Sequence, residues 1–437
     1  MRPQIRISPL SCAALLAVCQ FIVLVPLLSV YPIGGSSEAR EAQIADLIVR
    51  SGEWLIPLRN GLAPSKPPLF HWIAALFGSV SGGVTPFIAR AVSLLFASGV
   101  VFLSSLLTLR ACEAGSESLR RNKHTLAIFS AIVLTTTFGY VNMAGDARVD
   151  MTYCFFFCLA LYPFFSACST DSISGLSLLE IRKPWRWNVF FVGMGLGVLA
   201  KGPIAVVLPS VIVFCVLWSC FSWREALRAM SKPRLGWVYF AVLAAPWYVL
   251  LFFRGGDSIL QRQLFFENIQ RFMGGAEVNS QPFWYYVPEF LRTALPWSVL
   301  FVAMLPEFFS YMRRPYVQAE PYAGLRAIRQ SYALWFWVGF LFLSIASGKR
   351  QSYLLPLFPA MAVFLSLRGF KFYSEMSDRS RARLLTVSRA ALQVLFALLL
   401  IVAACFDFLR FAPPLQFGLK SEVLLFLGQF ALRIEVL

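Results

Sequence analysis

Runs of roughly 20 mostly apolar residues recur along almost the whole chain, and nothing else limits its fold so strongly. In lipid the backbone must satisfy its own polar groups, so such runs can only be helices. They fall at about 9–31, 86–108, 125–143, 151–168, 187–200, 203–221, 235–253, 290–311, 331–347, 353–368 and 389–409, with a weaker one near 421–436. The expected fold is therefore all-α and polytopic, a bundle of about 11–12 transmembrane helices. Composition agrees: 58% of residues are hydrophobic, 14% charged, and 42 are Phe, with a mean hydropathy of +0.67. Arg2 and Arg6 precede the first run as they would in a signal peptide. The run is too long for a signal sequence and has no clear small-x-small site before Tyr31, so it reads as a retained helix.

A net charge of +17 would suit nucleic acid if it were clustered on one surface. Instead it alternates. Basic loops carry Arg110, Arg120, Arg121 and Lys123, then Arg182, Lys183 and Arg186, then Arg224, Arg228, Lys232 and Arg234. The pattern continues through Arg313, Arg314, Arg326 and Arg329, and through 368–389. The positive-inside rule makes these loops cytoplasmic and excludes a nucleic-acid partner. The loops at about 32–85, 144–150, 201–202, 254–289, 348–352 and 410–420 then face outward. The nine Cys lie mostly within or at the ends of spans, which excludes a disulfide framework and a Cys-based metal site. His71 and His124 are the only histidines, too few for a polyhistidine site. Gly193, Gly195 and Gly197 interrupt an apolar helix and suit close packing, not nucleotide binding.

The first outward loop is long and polar. Its residues 37–50 read as an amphipathic helix with Ile44, Ala45, Leu47 and Ile48 on one stripe and Glu38, Glu41 and Asp46 elsewhere. Ser36 or Ser37 would cap it and Ser51-Gly52 would end it. Trp54, Phe70 and Trp72 are expected to anchor at headgroup level. Other outward loops place charges at membrane depth: Asp146, Arg148 and Asp150; Lys201 between Ala200 and Gly202; Arg254; Glu267 and Arg271; Lys349 and Arg350 before Tyr353. Snorkelling explains one such residue, but several on one face point to a shared pocket. Lys and Arg there suit a lipid-borne phosphate, and a carboxylate opposite suits a general base. A lipid-phosphate sugar donor reconciles an outward site with the absence of a nucleotide-binding loop.

In order along the chain come Ser37-Glu38-Ala39-Arg40, Ser51-Gly52-Glu53-Trp54, Asn60-Gly61, Lys66-Pro67-Pro68-Leu69, Ala147-Arg148-Val149-Asp150, Leu199-Ala200-Lys201-Gly202-Pro203, Pro246-Trp247-Tyr248, Phe265–Phe272, Pro282–Tyr286 and Lys349–Pro356. In these stretches, over about residues 30–370, the chain resembles the GT-C membrane glycosyltransferases. It is most similar to the group that includes the lipid A aminoarabinose transferase and the protein O-mannosyltransferases. The resemblance implies transfer of a sugar, with inversion, from a polyprenyl (undecaprenyl) phosphate to a periplasmic acceptor: lipid A, another glycolipid or protein. It implies a bacterial inner-membrane enzyme with a GT-C core over 1–370, including the periplasmic loop 32–85, then a C-terminal membrane segment over 371–437 without a soluble domain. Glu38 and Asp150 are the expected catalytic carboxylates, Asp150 as partner or alternative base, with Arg40 orienting Glu38 or contacting the leaving group. Lys201, Arg254, Lys349 and Arg350 are expected at the donor phosphate, and Glu41, Lys66, Arg148, Glu267, Arg271 and Tyr353 around the pocket.

The chain departs from the family pattern in three places. Ser37 stands where the family usually has Asp, Glu41 where it commonly has Tyr, and Ser65 where a Glu commonly precedes Lys-Pro-Pro. The last change weakens a divalent-metal site, and no metal ligands are assigned. Two other readings stay open: an inactive relative that binds a polyprenyl lipid, and a transporter of lipid-linked sugar, for which an internal repeat would be expected.

Overall fold

The computed structural model describes residues 7–29, 33, 35–167, 183–261, 263, 270–274, 280–306 and 323–375. For 255–260, 271, 323–327 and 371–375 only the backbone is described. Among these residues the secondary structure is helical apart from isolated bridges such as Arg59 with Leu62, which closes the two-residue Asn60-Gly61 turn at positive φ. The helices used below are α1 (Pro9–Leu24), α2 (Ser36–Ser51), α3 (Leu69–Ser81), α4 (Pro86–Glu113), α5 (Lys123–Thr136), α6 (Phe138–Gly145), α7 (Val149–Ala167), α8 (Pro184–Lys201), α9 (Ile204–Cys220), α10 (Trp223–Ser231), α11 (Arg234–Gln261), α12 (Tyr286–Thr293), α13 (Trp297–Ala303), α14 (Ala323–Ile345) and α15 (Phe358–Glu375).

Six of the described helical segments are long and apolar enough to cross a membrane, or seven if α5 and α6 form one span bent by 69°. The chain is thus a multi-pass membrane protein, with fewer clean crossings among the described residues than the apolar runs suggest. The expected crossing at 290–311 is broken. Helix α12 ends at Thr293 and α13 starts at Trp297, across Pro296, which has no N–H to continue the ladder. The expected spans at 389–409 and 421–436 lie outside the described residues.

Helix α7 forms the centre of the bundle, buried along nearly all its length between α4 and α8. Small residues set that approach. A Cβ on Gly193 would sit 2.7 Å from the backbone N of Ala160, and one on Gly197 would meet Ala205 at 2.8 Å, so these glycines are there for packing. Aromatic side chains fill the rest: Phe165, Tyr332 and Trp335 form one cluster, and Phe290, Phe301 and Phe336 another.

Helix α2 matches the expected position but differs in detail. Its N-cap is Gly35 and makes no side-chain capping bond, in place of the expected serine cap. Gly52 at φ 71° ends it. Glu38 and Glu41 do not lie away from the apolar stripe. They share the buried face with Ala45 and Ile48, at successive steps of three and four residues. That face rests on α3 and α4 and brings acidic groups into the interior. Phe70 is fully buried there and is no headgroup anchor; Trp54 is exposed, and its carbonyl accepts from Trp72 Nε1 at 2.7 Å.

Candidate active site

The short segment before α7 is pinned by Ser93 of α4. Its hydroxyl accepts from the Arg148 N–H and donates to the Arg148 carbonyl, each at 3.2 Å. Asp150 is thereby fixed in the first turn of α7. Lys201 is the last residue of α8, where Gly202 turns the chain with φ 90° and ψ −159°, a conformation open essentially to glycine alone. The two ends meet. Lys201 Nζ lies 2.6 Å from Asp150 Oδ1, and Arg148 Nε donates to Oδ2 at 3.1 Å. The ammonium also lies over the rings of Tyr353 (4.6 Å) and Tyr153 (5.0 Å). A carboxylate and two aromatic faces hold one cation in place.

Helix α2 supplies the second half. Glu41 Oε1 accepts from Arg40 Nη2 at 2.7 Å, and Oε2 lies 2.7 Å from Nε2 of the buried His71 on α3. Burial alone would raise the Glu41 carboxyl. The hydrogen bond and charge of His71, followed by Arg40, outweigh burial and leave it below its ordinary value. The two halves border one small polar cavity of about 20 Å3, lined by Ser37, Arg40, Glu41, Lys66, Arg148, Asp150, Lys201, Arg350, Ser352 and Tyr353. Lys66, Lys201 and Tyr353 also line a second cavity of about 90 Å3, whose other walls include Ile204, Leu208, Phe272, Phe342, Leu343 and Pro356. The cationic chamber and an apolar groove therefore share two lysines and a tyrosine in their linings.

Of the residues singled out from the sequence, this geometry brings together Arg40, Glu41, Lys66, Arg148, Asp150, Lys201, Arg350 and Tyr353. Glu38 is placed differently. Both its oxygens face Arg90 of α4, Oε1 at 2.7 Å from Nε and Oε2 at 3.1 Å from Nη2, and Oε1 also accepts from the Ala147 N–H at 3.1 Å. Arg90 is fully buried, so Glu38 neutralises a cation inside the bundle, and Arg40 turns to Glu41 instead of orienting it. Lys349 donates to the carbonyls of Gln281 and Ala346, tying two chain segments together, and burial lowers its proton affinity. Arg254 is largely exposed, 3.9 Å from Glu53. Glu267 lies outside the described residues, and of Arg271 only the backbone is described.

Arg90, Ser37 and His71 were not picked out for these places. Arg90 was legible as a lone charge five residues into an apolar span. The pairing of His71 with Glu41, 30 positions apart, leaves no local signal. Among the described residues no group of three or more His, Cys, Asp or Glu side chains is placed to hold a metal ion.

Comparison with known proteins follows the same lines. The profile of the family described as dolichyl-phosphate-mannose-protein mannosyltransferase matches residues 50–256. An undecaprenyl phosphate-alpha-4-amino-4-deoxy-L-arabinose arabinosyl transferase of Proteus mirabilis is 26% identical over 381 residues, 85% of this chain and 60% of that protein. One of Pseudomonas aeruginosa is 28% identical over 365 residues, 81% and 59%. The chain thus spans about 60% of the length of these curated relatives. A crystal structure of ArnT from Cupriavidus metallidurans bound to undecaprenyl phosphate superposes with a TM-score of 0.67 at 20% identity, covering 96% of this chain and 74% of that one. Its apo form gives 0.65 at 18% identity. In fold this is a GT-C membrane protein, and in sequence it is similar to the aminoarabinose transferases and the protein mannosyltransferases.

Proposed function

We propose that the chain is an inverting glycosyltransferase of the bacterial inner membrane that moves a sugar from a polyprenyl phosphate to a periplasmic acceptor. The observation that carries this reading is the pair of adjacent cavities: cations and carboxylates in one, an apolar wall in the other, and Lys66, Lys201 and Tyr353 lining both. An isoprenoid chain suits the groove, and its phosphate suits the lysines common to both. The alternation of basic loops supports a periplasmic position for the chamber.

In the proposed reaction an acceptor oxygen attacks the anomeric carbon while the bond from that carbon to the phosphate oxygen breaks. The electron pair leaves with the polyprenyl phosphate. Lys66, Lys201 and Arg350 neutralise the charge that grows on the departing group, and a preorganised cluster in a poorly hydrated site is well suited to that task. Asp150 is a positioning residue: it aims Lys201 and Arg148 into the chamber. The chamber's carboxylates, Asp150 and Glu41, both already hold cations. An acceptor that is itself an anion, such as the phosphate of a glycolipid, needs no base, and we favour this class over a hydroxyl.

The test is reconstitution of the purified protein in nanodiscs with radiolabelled polyprenyl-phosphate sugars and an envelope glycolipid extract. Label should move to a lipid phosphate, and Lys201→Ala should stop it. Donor binding without transfer in any fraction of the extract would leave an inactive lipid-binding relative. Absence of donor binding would end the reading.

A further inference from the structure

The end of α8 opposite Lys201 borders a much larger cavity, about 620 Å3, which the proposed chemistry does not use. Pro184 and Lys201 are separated by the length of α8, roughly 25 Å at 1.5 Å per residue, so this cavity belongs to the other face of the membrane. Three cations line it: Arg228 of α10, Lys232 just after that helix, and Arg234 at the start of α11. Among the described residues the lining holds one carboxylate, Glu225. Its Oε2 is engaged by the N–H of Ser222 at 3.1 Å and the Ser222 hydroxyl at 2.8 Å in a capping box. Among the described lining residues two positive charges are in surplus. The volume lies within the ~300–1,000 Å3 of small-molecule sites.

The surroundings identify the class of occupant. Glu225, Arg228, Ala229 and Lys232 follow one another at helical spacing and turn one face of α10 to the cavity. Leu235, in the cavity lining, is about half exposed (52%) and lies at the start of the apolar span Arg234–Arg254, most of whose surface is unburied. A soluble phosphate ester would leave that apolar border uncovered. A lipid of the surrounding leaflet covers it with acyl chains while its phosphate enters the basic pocket.

We infer that this cavity binds the head group of an anionic glycerophospholipid in the leaflet opposite the sugar-transfer chamber. Basic pockets between helices on the cytoplasmic side take such head groups, at about 1 kcal/mol per Lys or Arg near the surface. The test uses the purified full-length chain in neutral detergent, titrated with dioleoyl phosphatidylglycerol, dioleoyl phosphatidylcholine or inorganic phosphate. Bound lipid is counted by native mass spectrometry, and melting is followed in parallel. Phosphatidylglycerol should bind and raise the melting midpoint, whereas phosphatidylcholine and free phosphate should not. Arg228→Gln and Lys232→Gln should each weaken binding roughly five-fold, and the triple variant with Arg234→Gln should abolish it. Arg120→Gln with Arg121→Gln, which removes two positive charges elsewhere on that face, should leave binding unchanged. Equal binding of phosphatidylcholine, stabilisation by inorganic phosphate alone, or loss of binding in the Arg120/Arg121 variant would each overturn the assignment. Should the triple variant fail to fold, the two single variants carry the test.

Discussion

Replacing Glu38 by Gln separates a structural role from a catalytic one. In the folded chain Glu38 gives Arg90 two charge-assisted hydrogen bonds and accepts the Ala147 N–H, while Arg90 also donates to the Leu28 carbonyl at 2.8 Å. A Gln keeps one acceptor for Arg90 Nε and Ala147, but its NH2 then points at Arg90 Nη2, donor against donor. The guanidinium, with no exposed surface, loses its counter-charge. Breaking one side of such a buried pair costs about 3–5 kcal/mol. At ~2 °C or less per kcal/mol for a chain of this size, the melting midpoint should fall by several degrees. Arg90→Met in the Glu38→Gln background removes the charge that Glu38 balanced. It also gives up the bond to Leu28, worth about 1 kcal/mol, so part of the stability should return. Melting of the detergent-solubilised variants, followed by size-exclusion fluorescence, reads the first quantity. Sugar transfer normalised to folded protein reads the second and should stay within a few-fold of wild type in the double variant. If Glu38→Gln melts with the wild type yet transfers no sugar, Glu38 is the base and the structural account fails.

Three further outcomes follow from the same geometry. Lys201→Ala should lower sugar transfer at least ~100-fold and weaken donor binding, because it removes one of the two cations common to both cavities and the one that Asp150 aims; donor titration alongside turnover checks this. Gly202→Ala forces a side chain into a conformation that costs about 1–3 kcal/mol, so both melting and turnover should drop as Lys201 shifts. The depressed Glu41 carboxyl contributes stability that is fully present above its unfolded value of about 4.3 and is lost as pH falls through the lower folded value. Glu41→Gln should therefore flatten the acid limb of a melting-versus-pH profile below about pH 4 and leave the slope near neutrality unchanged.

The class of fold was legible because lipid allows so few solutions: apolar runs of spanning length must be helices, and alternating basic loops give them direction. That Asp150, Lys201, Arg350 and Tyr353 share one region was also legible, from polar residues beside breaks such as Gly202-Pro203 in otherwise apolar sequence. Partnerships were not. Glu38 and Glu41 occupy neighbouring turns of one helix, yet one faces Arg90, 52 positions away, and the other His71, 30 positions away. Amphipathic periodicity assigns carboxylates to water by default, and only tertiary contact reveals that these two are buried against cations. The break at Pro296 shows the converse. Mean hydropathy across 290–311 is that of a crossing, but one residue without an N–H divides it.

The same pairings bear on the acceptor. A hydroxyl nucleophile needs a carboxylate free to take its proton, and Ser37 stands in the chamber where the family pattern has Asp. Freeing Glu41 would mean separating it from His71 and Arg40, and freeing Asp150 would release Lys201 from the position in which, on the proposed reading, it meets the donor. Either change weakens the cation cluster that the departing phosphate requires. A nucleophile that arrives already ionised avoids that conflict, and its own negative charge is drawn to Arg40, Arg148 and Arg350 around the chamber. Ser37→Asp is then the informative variant. If the acceptor is a phosphate, the added carboxylate repels it and the KM for acceptor should rise about ten-fold with donor binding unchanged. If transfer to hydroxyl acceptors increases instead, the serine marks a lost base, and the preference for an anionic acceptor is wrong.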